Sequence, residues 1–98
     1  MKKIPPFKLI PQPLNEAAAT LPKFDSAPDY VGTRHQLGGE PAFIQGKEIS
    51  LCPNCGKEMT FYAQLDSIND EFNLADCGMI YVFVCFDCYT TAASIHSY

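Results

Sequence analysis

Cys52-Pro53-Asn54-Cys55-Gly56 and Cys85-Phe86-Asp87-Cys88-Tyr89 repeat one small unit, with the interval 56–84 between the two cysteine pairs. Two C-x-x-C pairs on one short chain predict a four-thiolate metal site. A C-x-x-C turn lets one hairpin corner present two sulfurs to a single ion, and zinc completes a tetrahedron with four such thiolates at about 2.3 Å. Gly56 supplies the small, φ-permissive residue that such a turn wants, and Pro53 stands where no backbone donor is needed. Tyr89 holds the position matching Gly56, a poorer fit for the same bend. The expected ligands are Cys52, Cys55, Cys85 and Cys88, and the expected ion is a structural Zn2+. The interval exceeds the roughly 15–20 residues of the common four-cysteine pattern, so the corners have to be joined by strands lying side by side.

Three other chemistries use cysteines in this way. Disulfides need an oxidising compartment, a dithiol redox centre uses one C-x-x-C at a helix start in a βαβ setting, and a catalytic zinc keeps one position open for water. The chain opens Met1-Lys2-Lys3-Ile4 into prolines and not into the apolar run of a signal peptide. Neither pair has the βαβ setting, and four thiolates fill the shell, so structural zinc is the reading. Cys77, in Asp76-Cys77-Gly78, is the odd cysteine and reads as a free, half-buried thiol. His35 and His96 fall in no ligand spacing and read as core or surface side chains.

Working outward from the pairs, Met59, Phe61, Ala63 and Leu65 alternate with Thr60, Tyr62 and Gln64, which predicts a strand over 59–65 with the first set sharing a face. Met79–Phe86 (MIYVFVCF) is apolar on both faces and rich in β-branched and aromatic residues, as a central strand would be. Thr91, Ala93 and Ile95 mark a last short strand over 90–95. Upstream, Leu37-Gly38-Gly39-Glu40-Pro41 is turn material. Six of the eight prolines precede residue 29, so that segment is expected to be extended, with only residues 15–21 able to form a helix, capped by Asn15 and stopped by Pro22. The apolar Ile4, Phe7, Leu9, Ile10 and Leu14 predict an arm that lies against its own domain or a partner chain, with a disordered segment as the alternative. The expected organisation is a Pro-rich arm, 1–34, carrying at most one short helix, and a four-cysteine zinc-binding β domain, 35–98. The expected fold class is mainly β (small α+β), an antiparallel zinc-ribbon-like sheet.

A 98-residue chain buries only roughly 60–65% of the surface its unfolded form exposes, so a metal staple supplies stability that the core cannot. Hydrophobic residues make up 47% and charged residues 18%, the balance of a chain that folds and not of a solvating tail. No apolar run approaches the ~20 residues needed to cross a bilayer, and a cytoplasmic, non-membrane protein is expected. The net charge is −4, and its distribution is uneven. Lys2, Lys3, Lys8, Lys23 and Arg34 outnumber the acids of the first third, whereas beyond it only Lys47 and Lys57 face the remaining acids. An acidic body without a basic stripe argues against a nucleic-acid phosphate partner.

The stretches Leu37-Gly38-Gly39-Glu40-Pro41-Ala42-Phe43-Ile44-Gln45, Cys52-Pro53-Asn54-Cys55-Gly56, Met59-Thr60-Phe61-Tyr62-Ala63-Gln64-Leu65-Asp66 and Met79-Ile80-Tyr81-Val82-Phe83-Val84-Cys85 occur in that order. In this the chain resembles the YwqG-like bacterial domain family. It is also similar to the C-terminal zinc-binding region of programmed cell death protein 2, in which a Gly-Gly-x-Pro-aromatic turn precedes a cysteine pair and an apolar strand. The resemblance covers about residues 34–90, with Phe43 where that pattern has tryptophan. It implies a β-rich zinc module with Cys52, Cys55, Cys85 and Cys88 as ligands, and it implies no established reaction.

No nucleophile with a base, no paired carboxylates in a cleft and no open metal position can be read from the residues, so a non-catalytic binding module is expected. The connection 66–76 mixes Asp66, Asp70, Glu71 and Asp76 with Ile68, Phe72 and Leu74. It is the expected partner surface, with Asp66, Asp70, Glu71, Phe72 and Asp76 as contacts for a basic protein. A basic toxin neutralised by an immunity protein or antitoxin, or a basic ribosomal protein held by a chaperone or adaptor, fits that chemistry. A nucleic-acid-binding zinc ribbon and a homodimer through the N-terminal arm are the remaining alternatives.

Overall fold

The computed structural model describes residues 2–46 and 48–98, and its elements are those of a small mainly-β, zinc-ribbon-like fold. In chain order they are β1 (Phe7–Lys8), α1 (Glu16–Ala19), β2 (Gln36–Leu37), β3 (Thr60–Asp66), β4 (Met79–Val84) and β5 (Thr91–His96). The strands form one antiparallel sheet in the order β1-β2-β3-β4-β5. The expected strands are present within a residue or two, except that Cys85 and Phe86 leave β4 to form the second corner. β4 is an interior strand flanked along its whole length by β3 and β5. Its Met79, Tyr81 and Phe83 are buried, while Ile80, Val82 and Val84 are half-buried, as expected for a strand apolar on both faces.

The register of β3 departs from the simple alternation. Phe61 lies opposite Phe83, but Ala63 lies opposite Val82, with a bulge between Phe61 and Ala63. Residues directly opposite in an antiparallel pair share a face, so one inserted residue reverses the parity of everything beyond it. Phe61, Gln64 and Asp66 therefore share the core face of Phe83, Tyr81 and Met79, whereas Thr60, Ala63 and Leu65 share the opposite face of Val84, Val82 and Ile80. The sequence reading that put Met59, Phe61, Ala63 and Leu65 on one face is corrected by this bulge.

The core face is covered by the connection between β2 and β3. Phe43 packs on Tyr81 and His96, with ring centroids 5.0 and 5.4 Å away. The Tyr81 hydroxyl donates to the Ala42 carbonyl (2.6 Å), and Ala42 N–H donates to Gln64 Oε1 (3.0 Å). Cys52, Met59, Met79, Tyr81, Phe83 and Cys85 form the buried cluster, so two of its six members are predicted metal ligands.

The Pro-rich segment is fastened to its own sheet. β1 pairs with β2, Gly39 N–H donates to the Ile4 carbonyl and Thr60 Oγ1 to the Lys2 carbonyl. Gly38 adopts φ +57°, and a Cβ there would strike the carbonyl oxygens of Ile4 and Pro5, so glycine is what lets the segment approach. The helix is a single turn, its Asn15 side chain accepting from Ala18 N–H as an N-cap does.

A buried ion pair completes the attachment. Asp66 Oδ1 accepts from Arg34 Nη2 (2.7 Å) and Ser67 N–H (2.7 Å), and Oδ2 accepts from Gly32 N–H (2.8 Å), Arg34 N–H (3.0 Å) and Arg34 Nε (2.8 Å). Burial pushes this carboxyl up, but the Arg34 guanidinium and the N–H groups of Arg34 and Gly32 more than reverse it and hold it below the ordinary carboxylate range. Burial lowers the adjacent His35, against the pull of Asp66, and its neutral Nδ1 accepts from Asp66 N–H (3.0 Å).

Candidate metal centre

The two cysteine pairs meet at one end of the sheet, because Thr60 lies opposite Val84 and each pair abuts one of those strand ends. The first pair forms the corner of a small hairpin closed by the Leu51–Glu58 bridge, and the second forms the turn from β4 to β5. The corners are built alike. Gly56 N–H donates to the Cys52 carbonyl (2.8 Å) and Tyr89 N–H to the Cys85 carbonyl (2.7 Å). Cys52 N–H then donates to the Lys57 carbonyl and Cys85 N–H to the Thr90 carbonyl, both at 2.8 Å. Gly56 and Tyr89 take φ of +76° and +59°. The position that sequence marked as awkward for tyrosine does hold it in the left-handed region, where a side chain is strained.

The four sulfurs form a compact group. Cys52 Sγ lies 3.5 Å from Cys88 Sγ and Cys55 Sγ 3.5 Å from Cys85 Sγ, and all four sulfurs lie within 4.8 Å of one another. A tetrahedron with 2.3 Å arms has edges of about 3.8 Å, inside that range, whereas a disulfide would bring two sulfurs to about 2.05 Å. All five cysteines are free. The donor set and its spacing thus fit one tetrahedral ion. Cys52 and Cys85 are each 2% exposed, Cys88 is half-buried and Cys55 is exposed, so the site is open along one side.

The thiols differ in acidity. The Thr90 hydroxyl, 3.1 Å away, leads the groups that lower Cys88 to about 6. Burial raises Cys52, but the Cys55 and Asn54 N–H groups bring it below its usual value. Cys55 is drawn down by Lys57 N–H yet ends raised to about 11, chiefly by its hydrogen bond with Cys85. Cys88 is thus the thiol readiest to ionise before an ion arrives, and the ion supplies the charge that ionises the others. Lys57 and Asp87 link the corners by an ion pair at 3.1 Å, but both side chains are mostly exposed, and such a pair contributes no more than about 1 kcal/mol.

Cys77 is half-buried and lies at the far end of β4 from the cluster, its N–H on Asn73 Oδ1 (2.8 Å) and its carbonyl accepting from Arg34 (2.9 Å). Both histidines are buried, His35 beside Asp66 and His96 against Phe43 and Tyr81. The partner residues fare unequally. Asp70, Glu71 and Asp76 are exposed, and Phe72 is 50% exposed. Asp66 is not on the solvated connection: its side chain is fully buried against Arg34, because the β3 bulge turned it inward. Asp70 also accepts from Asp25 N–H (3.0 Å), and Asn69 donates to the Pro22 carbonyl (3.0 Å), so the N-terminal segment occupies one flank of this connection. Arg34 was missed as a structural residue. The signal available was a single arginine where the basic arm meets the acidic body.

Fold and cluster together define a small antiparallel β module built round a four-cysteine metal-binding centre. No family model matches the chain, and no solved structure matches it. The chain is similar to the uncharacterized protein YpfL of Salmonella typhimurium, 38% identical over 81 residues, which take in 83% of this chain and 19% of that protein. The chain therefore spans less than a fifth of the length of the curated relative it matches. No helix among the described residues is long and apolar enough to cross a membrane.

Proposed function

We propose that the chain is a zinc-stapled, non-catalytic protein-binding module whose acidic connection between β3 and β4 takes a basic protein, and that its role is to neutralise a basic toxin as an immunity protein or antitoxin. Zinc is the ion assigned because four soft thiolates in a tetrahedron suit it and leave no position for a substrate. The observation that carries the binding role is the joint exposure of Asp70, Glu71 and Asp76 beside Phe72 and Ile68 on one short connection. Acidic groups steer a basic partner in, and a half-exposed aromatic gives it an apolar anchor. The connection is held at both ends by the sheet and braced by Asn69 Oδ1 accepting from Phe72 N–H (3.0 Å), which lowers the ordering cost of association.

The test compares the full chain with Asp70→Lys/Glu71→Lys as bait for proteins of its own cell at low and moderate salt. A basic nuclease or other toxin held by the wild type, inhibited by it and lost by the variant supports the proposal. Recovery of a basic ribosomal protein favours the adaptor reading, which the similarity to the programmed cell death protein 2 region motivates. Equal capture by both baits refutes the acidic connection as the contact.

A further inference from the structure

We propose that the free edge of the sheet, β5, is a self-pairing surface through which two copies of this chain join their sheets antiparallel. Its counterpart at the other edge, β1, is two residues long, follows Pro5 and Pro6 and carries Lys8, which are the features that protect an edge from strand addition. β5 has none of them. Thr91–His96 is six residues long, pairs with β4 without a bulge, and contains neither proline nor an acidic or basic residue apart from the buried His96.

The phase of its hydrogen bonds shows what the edge offers. Cys85 N–H donates to the Thr90 carbonyl, and bonded and non-bonded pairs alternate along an antiparallel ladder. Ala92, Ser94 and His96 therefore turn their backbone groups to β4, and Thr91, Ala93 and Ile95 turn theirs outward. Those three residues have no backbone partner among the described residues.

The edge is complementary to itself. A two-fold axis at Ala93 sets Ala93 opposite its own copy and Thr91 opposite the copy's Ile95, closing six backbone hydrogen bonds in an isologous contact. The side chain on the axis is a methyl group, and the flanking pair is β-branched, a combination that packs well across strands. No acidic or basic side chain stands on Thr91–Ile95 itself; the Glu48 carboxylate, which accepts from Ser94 Oγ (2.9 Å) and lies 3.5 Å from His96 Nε2, is on the face of Ser94 and His96 and not on that of Thr91, Ala93 and Ile95. Ile95 is 54% exposed and shares the open face of Ile80, Val82 and Leu65, so pairing turns two half-covered apolar faces into one continuous surface.

The test uses the full metal-loaded chain in sedimentation equilibrium from low micromolar to about 100 μM, the range in which a weak homodimer declares itself. The expected mass rises to twice the 10.9 kDa of one chain and stops there. In hydrogen exchange at the upper concentration, the amides of Thr91, Ala93 and Ile95 are protected as well as those of Ala92 and Ser94. Ala93→Pro removes an outward N–H that β4 does not use, and Ile95→Lys puts a charge in the contact. Each should lower the association constant at least tenfold while retaining one metal per chain, so either variant alone suffices if the other misfolds. A chain that stays monomeric throughout overturns the proposal, whatever other strand fills the edge. It is equally overturned by a dimer that both folded variants retain, by fast exchange at the three amides within a dimer, or by a mass that grows past two copies.

Discussion

Replacing Cys55 by serine isolates the metal bond from the core. Of the four ligands, Cys52 and Cys85 belong to the buried cluster, whereas Cys55 is exposed, so Cys55→Ser opens no cavity. Structural zinc sites in finger peptides are worth roughly 10–16 kcal/mol near neutral pH. Divided evenly among the four ligands, that is roughly 2.5–4 kcal/mol each, or about a 60- to 700-fold loss of affinity at 1.4 kcal/mol per tenfold. Competition with a chromophoric chelator measures it, and cobalt substitution reports the change from four sulfur ligands to three. Cys52→Ser should lose more than Cys55→Ser in thermal stability, because it also disturbs Met59 and Phe83. Cys77→Ser should change neither metal content nor affinity. If Cys55→Ser binds the ion as tightly as the wild type, or if Cys77→Ser releases it, the four-cysteine assignment is wrong.

Asp66→Asn should destabilise the fold by roughly 3 kcal/mol, the lower end for breaking a buried pair because Arg34 keeps 14% of its side chain exposed; urea unfolding of the metal-loaded protein measures it. Because the folded Asp66 carboxyl lies below its unfolded value, its contribution is full above the unfolded pKa and lost as pH falls through the folded one. Stability of Asp66→Asn should thus vary less with pH below about 4 than that of the wild type, and an unchanged acid slope would contradict the pairing. Tyr89→Gly relieves a left-handed φ at an exposed position and should raise the melting temperature by about 2–4 °C, from roughly 0.5 kcal/mol net of glycine's backbone entropy; a lower melting temperature argues against strain there. Gly38→Ala should detach residues 2–8 and speed their proteolytic removal while one metal per chain is retained, and unaltered cleavage would contradict the close approach to Ile4 and Pro5.

The metal centre and the long strands were legible because their signals are local. A C-x-x-C turn is specified by four or five consecutive residues, and the run Met79–Val84 is apolar enough that no other element suits it. The positive φ at Gly56 and the awkwardness of Tyr89 were likewise written in the corner itself. β1 and β2 were not legible. Each is two residues long, too short for any periodicity, and each exists because a neighbouring backbone offers it partners.

Sequence alone determined which sulfurs could share an ion, that β4 would lie inside the sheet, and that the first third would be extended, since these follow from residue chemistry within one turn or strand. Only the tertiary structure decided where Asp66 would go. Period-two alternation places it by counting, but counting fails at a bulge, and the extra residue between Phe61 and Ala63 is set by how β3 must bend to meet β4. That single insertion carried Gln64 and Asp66 from the solvent side to the interior. There Arg34, distant in the chain, supplied the charge and donors that make a buried carboxylate tolerable.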